Sequence, residues 1–519
     1  HTWEKIMPCF EEPFRAAFAR WAQGKYQTVA ALRQAWRQPE ATFETIRVPT
    51  LQERTEGSCG VFRDPARQRF VVDFVEYMQV CLAEYLQHIA RVVKEETGGK
   101  KLTAFFYGYH YDVSGFAYGA QVSGHLRLHQ VLHCPAVDIL CSPITYGDRE
   151  SGGPGSFMSP ADTIQLHGKL WLNEDDTRTH LAPVTAGFGR TDNMAQTLGV
   201  YRRNFGHQFE RRCATWWMDF GTGWMADEEI FDNFAHERDL WRTLPSAGPL
   251  RPQVAIITDE DSNFVLRHSN EITAYSVTRM RRWFNTMGCP VGLYLLDDLC
   301  EGKLPDSVRM CIFLNTFRLS DQQLAQVRRR AARPGAVLLW LYAPGYVRGD
   351  TAGAGNVSRV VGFDVQALEE PGGARIKLLP QLPPELSGLP AEQACGDGHP
   401  VAPRFAVPAQ AGVTPLGVYD GATHVGLAMK DCGGWWSVFY GGLEVSPEVL
   451  RALARRAGAH VYCDSNDVIS GSPGFISIHA ATAGQKLLRF PRAVVLTDLI
   501  SGGKLTPAAR EHGFEMAKG

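Results

Sequence analysis

The sequence predicts an α/β protein in three parts: a parallel α/β barrel or open sheet, a doubly wound flavodoxin-like domain, and a small β domain. Three observations predict it. A strand-like run, a polar or aromatic loop and a helical stretch recur four times across residues 102–241. A second strand–helix alternation starts at Val254, after a linker-like stretch bounded by Pro245 and Pro252. From Phe475 onward only short β runs remain. The expected domains are therefore 1–246, 252–465 and 466–519, the last of them incomplete.

Taken in order, residues 10–26 read as a helix with Phe14, Ala17, Phe18 and Trp21 on its apolar positions and Gly24 as a stop. Residues 28–36 form a second short helix. A long amphipathic helix follows over 66–96, with Phe70, Phe74, Met78, Leu82, Leu86, Ile89 and Val93 on one face and Gly98-Gly99 at its end. The four strand-like runs are 102–109, 137–142, 170–173 and 214–219. Helices are expected over 123–132, 183–203 and 228–241. In the second domain, strands fall at 254–257, 291–296, 310–314 and 336–340. The pattern resumes at 425–429 and 435–440 after a Gly/Pro-rich excursion.

Composition excludes several classes. With 53 basic and 55 acidic residues the net charge is −2, which gives no electrostatic case for nucleic acid or an anionic membrane. No apolar run approaches the roughly eighteen residues that span a bilayer. The 12 cysteines are scattered singly, with no CxxC pair, which suits a reducing, cytoplasmic compartment and not a disulfide scaffold.

In parallel α/β folds the active site lies at the C-terminal strand ends. Here those ends carry Tyr107, Tyr109 and His110; Tyr146 and Arg149; Glu174; and Asp219 and Trp224. The densest is the third, where Leu170-Trp171-Leu172 runs into Glu174, Asp175, Asp176 and Arg178. One reading is a buried strand delivering a carboxylate that the neighbouring Arg keeps ionised. The other is a helix N-terminus whose dipole favours Asp175 and Asp176. His129 and His133 have the spacing of a zinc helix, but Gln130 stands where a general-base Glu would be. The pair reads as helix surface, and no metal is expected. Asp259-Glu260-Asp261 supplies no phosphate loop, and Leu314-Asn315-Thr316-Phe317 no nucleophilic Cys. The second domain therefore reads as structural, and no cofactor is expected.

Several stretches together resemble glycoside hydrolase family 42, the β-galactosidase-like family. They are Lys25-Tyr26 with Thr28 and the following Ala35-Trp36; Ser142 to Tyr146; Leu166 to Trp171 leading to Glu174; and Trp216 to Trp224. The resemblance implies the C-terminal part of a (β/α)8 TIM barrel followed by a trimerisation-type domain. It also implies a retaining hydrolase that releases a terminal β-linked sugar by double displacement. Glu174 would be the nucleophile and Glu4 the acid/base. Trp3, Tyr109, His110, Tyr146, Arg149, Trp217 and Trp224 would line the sugar site. Asp175, Asp176, Arg178 and Asp219 would support it, the first three holding Glu174 ionised and in place. The family has Asn before its acid/base where this chain has Trp3, and the cysteine cluster that binds zinc in some relatives is absent. The implied partners are an oligosaccharide or glycoside substrate and a homotrimer. With four barrel strands in place of eight, the chain is expected to be a fragment that is inactive in isolation. The competing expectation is a non-catalytic carbohydrate-binding or assembly protein on a degenerate barrel scaffold.

Overall fold

The computed structural model describes residues 9–244, 248, 250–368, 370–386, 389 and 391–519. Three helices open it: α1 (Glu12–Tyr26), α2 (Val29–Trp36) and the single turn α3 (Leu51–Thr55). They pack beside the long α4 (Pro65–Glu96), whose stripe of Phe70, Phe74 and Met78 is buried while Ile89, near its far end, is exposed. Phe18 sits at the centre of this layer, against Trp36, Phe74 and Tyr77 with ring centroids 5.5–6.2 Å apart. Asp73 is buried in the same layer. It accepts hydrogen bonds from Lys25 Nζ (3.0 Å), Arg69 Nε (2.8 Å), Trp36 Nε1 (2.8 Å) and the Tyr26 hydroxyl. Burial alone would raise its pKa, but Lys25 and Arg69 hold it below the ordinary aspartate value. The Lys25-Tyr26 and Trp36 pairing that is prominent in the sequence is therefore a clamp on a helix.

A parallel sheet follows: β1 (Ala104–Phe106), the turn α5 (His110–Val113), α6 (Leu128–Leu132), β2 (Ile139–Pro143), α7 (Ala161–Leu166), β3 (Leu170–Asp175), α8 (Met194–Arg211), β4 (Ala214–Trp217) and α9 (Glu228–Thr243). Strand order is β1-β2-β3-β4, every pair parallel, and among the described residues the sheet is open. The helix expected over 123–132 is cut to α6, because Gly124 takes a positive φ and His125 turns its ring inward to the backbone N–H of Gly108. The helix expected over 183–203 starts only at Met194, capped by the Asn193 side chain, and runs on to Arg211.

The second sheet has nine strands. Its parallel part is β5 (Val254–Thr258), β6 (Val291–Leu295), β7 (Met310–Phe313) and β8 (Val337–Leu341), extended by the strand Trp436–Tyr440. The order β6-β5-β7-β8-Trp436–Tyr440 is that of a flavodoxin-like sheet. Strands Val425–Asp431, Val413–Tyr419, Ile376–Leu378 and Ala394–Cys395 continue it antiparallel. Helices α10 (Met280–Asn285), α11 (Leu296–Glu301) and α12 (Asp321–Ala331) lie in its first half. The chain ends in two hairpins, Val468–Ser472 with Phe475–His479 and Gly484–Thr497 with Lys504–Met516.

The two sheets are joined by buried polar contacts. Edge strand β6 donates its Leu293 and Leu295 N–H groups to Asp162 (2.7 Å) and Thr163 (2.9 Å) of α7, so a helix of the first sheet covers the edge of the second. Arg281 reaches from α10 to Asp112 and Asp148 (3.1 Å). Among the described residues no helix is long and apolar enough to cross a membrane, and the 12 cysteines are free thiols.

Candidate active site

Side chains alternate across a strand, so the acids at the end of β3 diverge. Glu174 and Asp176 share one side and Asp175 takes the other. Register places Glu174 between Pro143 of β2 and Trp216 of β4, at the C-terminal end of the sheet. It is only 5% exposed. Asp175 faces α8, where it accepts from Thr177 Oγ1 (2.6 Å) and Asn204 Nδ2 (2.8 Å). These contacts fix the strand end to α8.

Asp176 takes the positive charge. It is buried and paired with both Arg149 and Arg178, and the Tyr146 hydroxyl donates to it at 3.2 Å. The Arg149 guanidinium stacks over the Tyr146 ring at 4.5 Å and donates through Nε to the Phe188 carbonyl (2.8 Å). Arg178 is caged by aromatics, 5.0 Å from the Trp224 ring, 5.1 Å from Phe188 and 5.7 Å from Phe220. Such a cation–π cage fixes a guanidinium that would otherwise be mobile.

This arrangement corrects the expectation that Asp175, Asp176 and Arg178 keep Glu174 ionised. The arginines are spent on Asp176. Burial, reinforced by the Asp176 charge, pushes the Glu174 carboxyl up to about 7, although Arg149 and Arg178 pull the other way. Asp175 is also raised, by burial, against its bonds to Thr177 and Asn204.

The remaining expected residues divide. Tyr109 is buried, and burial lifts its hydroxyl far above the usual value, with Cys141 and Glu174 adding to the shift. Tyr146, Arg149 and Trp224 stand in the Asp176–Arg178 cluster described above. His110 does not join them: its Nε2 meets Glu260 (3.1 Å), which follows β5 of the second sheet, and the His125 carbonyl (3.2 Å). Trp217 is paired with Asp175, not Glu174, and stacks on Phe234 of α9 at 4.2 Å, on the helix side of the sheet. Its neighbour Trp216, half-exposed, is the tryptophan on the Glu174 side. Asp219 lies in the loop after β4, where it accepts from the Gly221 and Gly223 N–H groups at 2.8 and 3.0 Å and shapes the turn that carries Phe220. Glu4 and Trp3 lie outside the described residues.

Sequence reasoning missed Trp216, Phe188 and Phe220. For Trp216 the available signal is strand parity, which becomes useful only once the β3–β4 register is known. Phe188 and Phe220 each sit beside glycines in a loop, take positive φ and remain exposed, a pairing of strain and exposure visible only in three dimensions.

No protein-family model matches the sequence, and no curated protein matches it. Solved structures do match in fold. A β-galactosidase from Bacillus circulans sp. alkalophilus is similar with TM-score 0.65 at 13% identity, over 99% of this chain and 77% of that one. A cold-adapted β-galactosidase from Rahnella sp. R3 and a catalytic mutant of a GH42 β-galactosidase from G. stearothermophilus each give 0.66 at 14% identity, over 99% of this chain and 76% of theirs. The chain thus has a GH42-like fold.

Proposed function

We propose that this protein is a retaining glycoside hydrolase acting on terminal β-linked sugars, β-galactosides first among them. The observation that carries the proposal is Glu174: a buried carboxyl at the C-terminal end of a parallel sheet, beside a half-exposed Trp216 and an aromatic rim of Tyr146, Phe188, Phe220 and Trp224. Aromatic faces suit the apolar face of a pyranose. The GH42-like fold and the β-galactosidases that share it support the same reading. In this proposal Glu174 attacks the anomeric carbon and Glu4 protonates the leaving oxygen, then activates water. The barrel architecture and a trimeric assembly remain parts of the proposal.

One observation favours a different division of labour. A carboxyl held near 7 is half protonated at neutral pH, which suits a general acid better than a nucleophile. Azide separates the two. With an aryl β-galactoside, Glu174→Gly should lose on the order of 10⁴-fold in kcat, and azide should restore turnover as the α-galactosyl azide, of inverted configuration. Recovery of the β-azide would make Glu174 the acid/base. Galactoside binding without turnover, unchanged by the substitution, would support the non-catalytic carbohydrate-binding protein instead.

A further inference from the structure

Away from Glu174, the ends of three short helices meet at the seam between the two sheets. α6 brings His129 and, one residue past its end, His133; α7 brings His167; α11 brings Asp298 and Glu301, and Gly302 (φ +77°) stops the helix directly after them. The rings of His129 and His133 are 4.5 Å apart, and that of His167 is 4.9 Å from His133 and 5.6 Å from His129. We propose that His129, His133 and Glu301 form a binding site for a divalent transition-metal ion of the zinc type, flanked by His167 and Asp298, which fastens the first sheet to the second.

The donor atoms of His129, His133 and Glu301 lie within 4.8 Å of one another, and those of His167, Asp298 and Glu301 do likewise. Imidazole with one carboxylate is a donor set that zinc, nickel and copper accept and magnesium does not favour. The hydrogen bonds already point the ligands. His133 Nδ1 lies 2.8 Å from the His129 carbonyl, which can only accept, so Nδ1 carries the proton and Nε2 keeps its lone pair for an ion. His167 Nε2 lies 2.9 Å from Asp298, which is fixed from behind by Thr163 Oγ1 at 2.5 Å, so His167 and Asp298 form a polar wall beside the three ligands.

Lys303 supplies the positive charge beside Glu301. Its Nζ lies 2.7 Å from Glu301 and 3.2 Å from His167 Nε2, while His129 Nε2 contacts the other Glu301 oxygen at 2.9 Å. An entering ion replaces the His129–Glu301 hydrogen bond and turns the Lys303 ammonium out to solvent, which is open to it because Lys303 and Glu301 are each about a third exposed (34% and 38%). The small shift this needs falls on His129, His133 and Glu301, which are not buried.

Calorimetric titration of chelator-stripped protein with zinc, and with magnesium as a control, tests the proposal independently of any glycosidase activity. The expected result is one zinc ion per chain and no magnesium heat. His133→Gln and Glu301→Gln should each weaken zinc at least about tenfold, while Lys303→Met should tighten it several-fold by removing the competing charge. The melting temperature of each variant, recorded in chelator, establishes that it is folded. No saturable zinc heat up to about 100 µM, far weaker than structural zinc sites, overturns the proposal. So does zinc binding that His129→Gln/His133→Gln leaves unchanged, since the chain has 16 histidines that a surface-bound ion could use.

Discussion

At the scale of single residues, the acids at the end of β3 have the same charge and three environments. Asp176 has two arginines, Asp175 has a hydroxyl and an amide, and among the described residues Glu174 has no such hydrogen-bonded partner. With its carboxyl near 7, a Glu174 nucleophile becomes competent as pH rises. The rate of an aryl galactoside should therefore climb from pH 6 to 8, and a rate that falls over that range would assign Glu174 the acid's role. Asp176→Asn removes the repelling charge and releases Arg149 and Arg178, so the Glu174 pKa should drop and the rising limb move to lower pH. An unmoved limb would mean that burial alone sets it. Stability follows the opposite sign to the nucleophile's activity. A carboxyl whose folded pKa is raised above its ordinary 4.5 stabilises the fold fully below that value. The contribution is lost as pH rises through about 7, so Glu174→Gln should flatten the decline in stability over that window.

At the scale of elements, the first helices are held to α4 through Asp73. Its carboxylate is fully buried and Lys25 and Arg69 are largely so, which makes this a pair whose breaking is costly. Asp73→Ala strands Arg69 and the Trp36 N–H, while Lys25 keeps Glu76 at 2.7 Å, and should cost about 3–5 kcal/mol in urea unfolding. A loss under about 1 kcal/mol would show that the helices are held by the aromatic layer of Phe18, Trp36 and Phe74 instead. The motif Lys25-Tyr26…Trp36 was readable as a landmark. Its partner was not, because Asp73 is 37 residues beyond Trp36 and no local pattern links them.

For the molecule as a whole, the two sheets share buried polar contacts at Arg281, Asp162 and Thr163, and Glu260 accepts from the Leu128 and His129 N–H groups at 2.7 and 3.2 Å across the same seam. Separating the sheets would leave these groups without partners, so they should unfold together. Arg281→Met leaves Asp112 and Asp148 unpaired at this seam and should lower the melting temperature of a single calorimetric transition. Two transitions, with only the earlier one shifted, would show that the sheets are energetically independent.

The sequence by itself determined the strand–helix rhythm, the long α4, the parallel plan of the first sheet and of the first four strands of the second, and the position of Glu174 at a strand end. These follow from hydrophobic periodicity and turn residues, which act over a few positions. Only the tertiary structure decided which acid the arginines neutralise, that Trp216 and not Trp217 shares the Glu174 side, that His110 is drawn away to Glu260, and that His129 and His133 are joined by His167 and Glu301. Each of these depends on strand register or on the packing of one sheet against the other, which brings together residues separated by up to 172 positions.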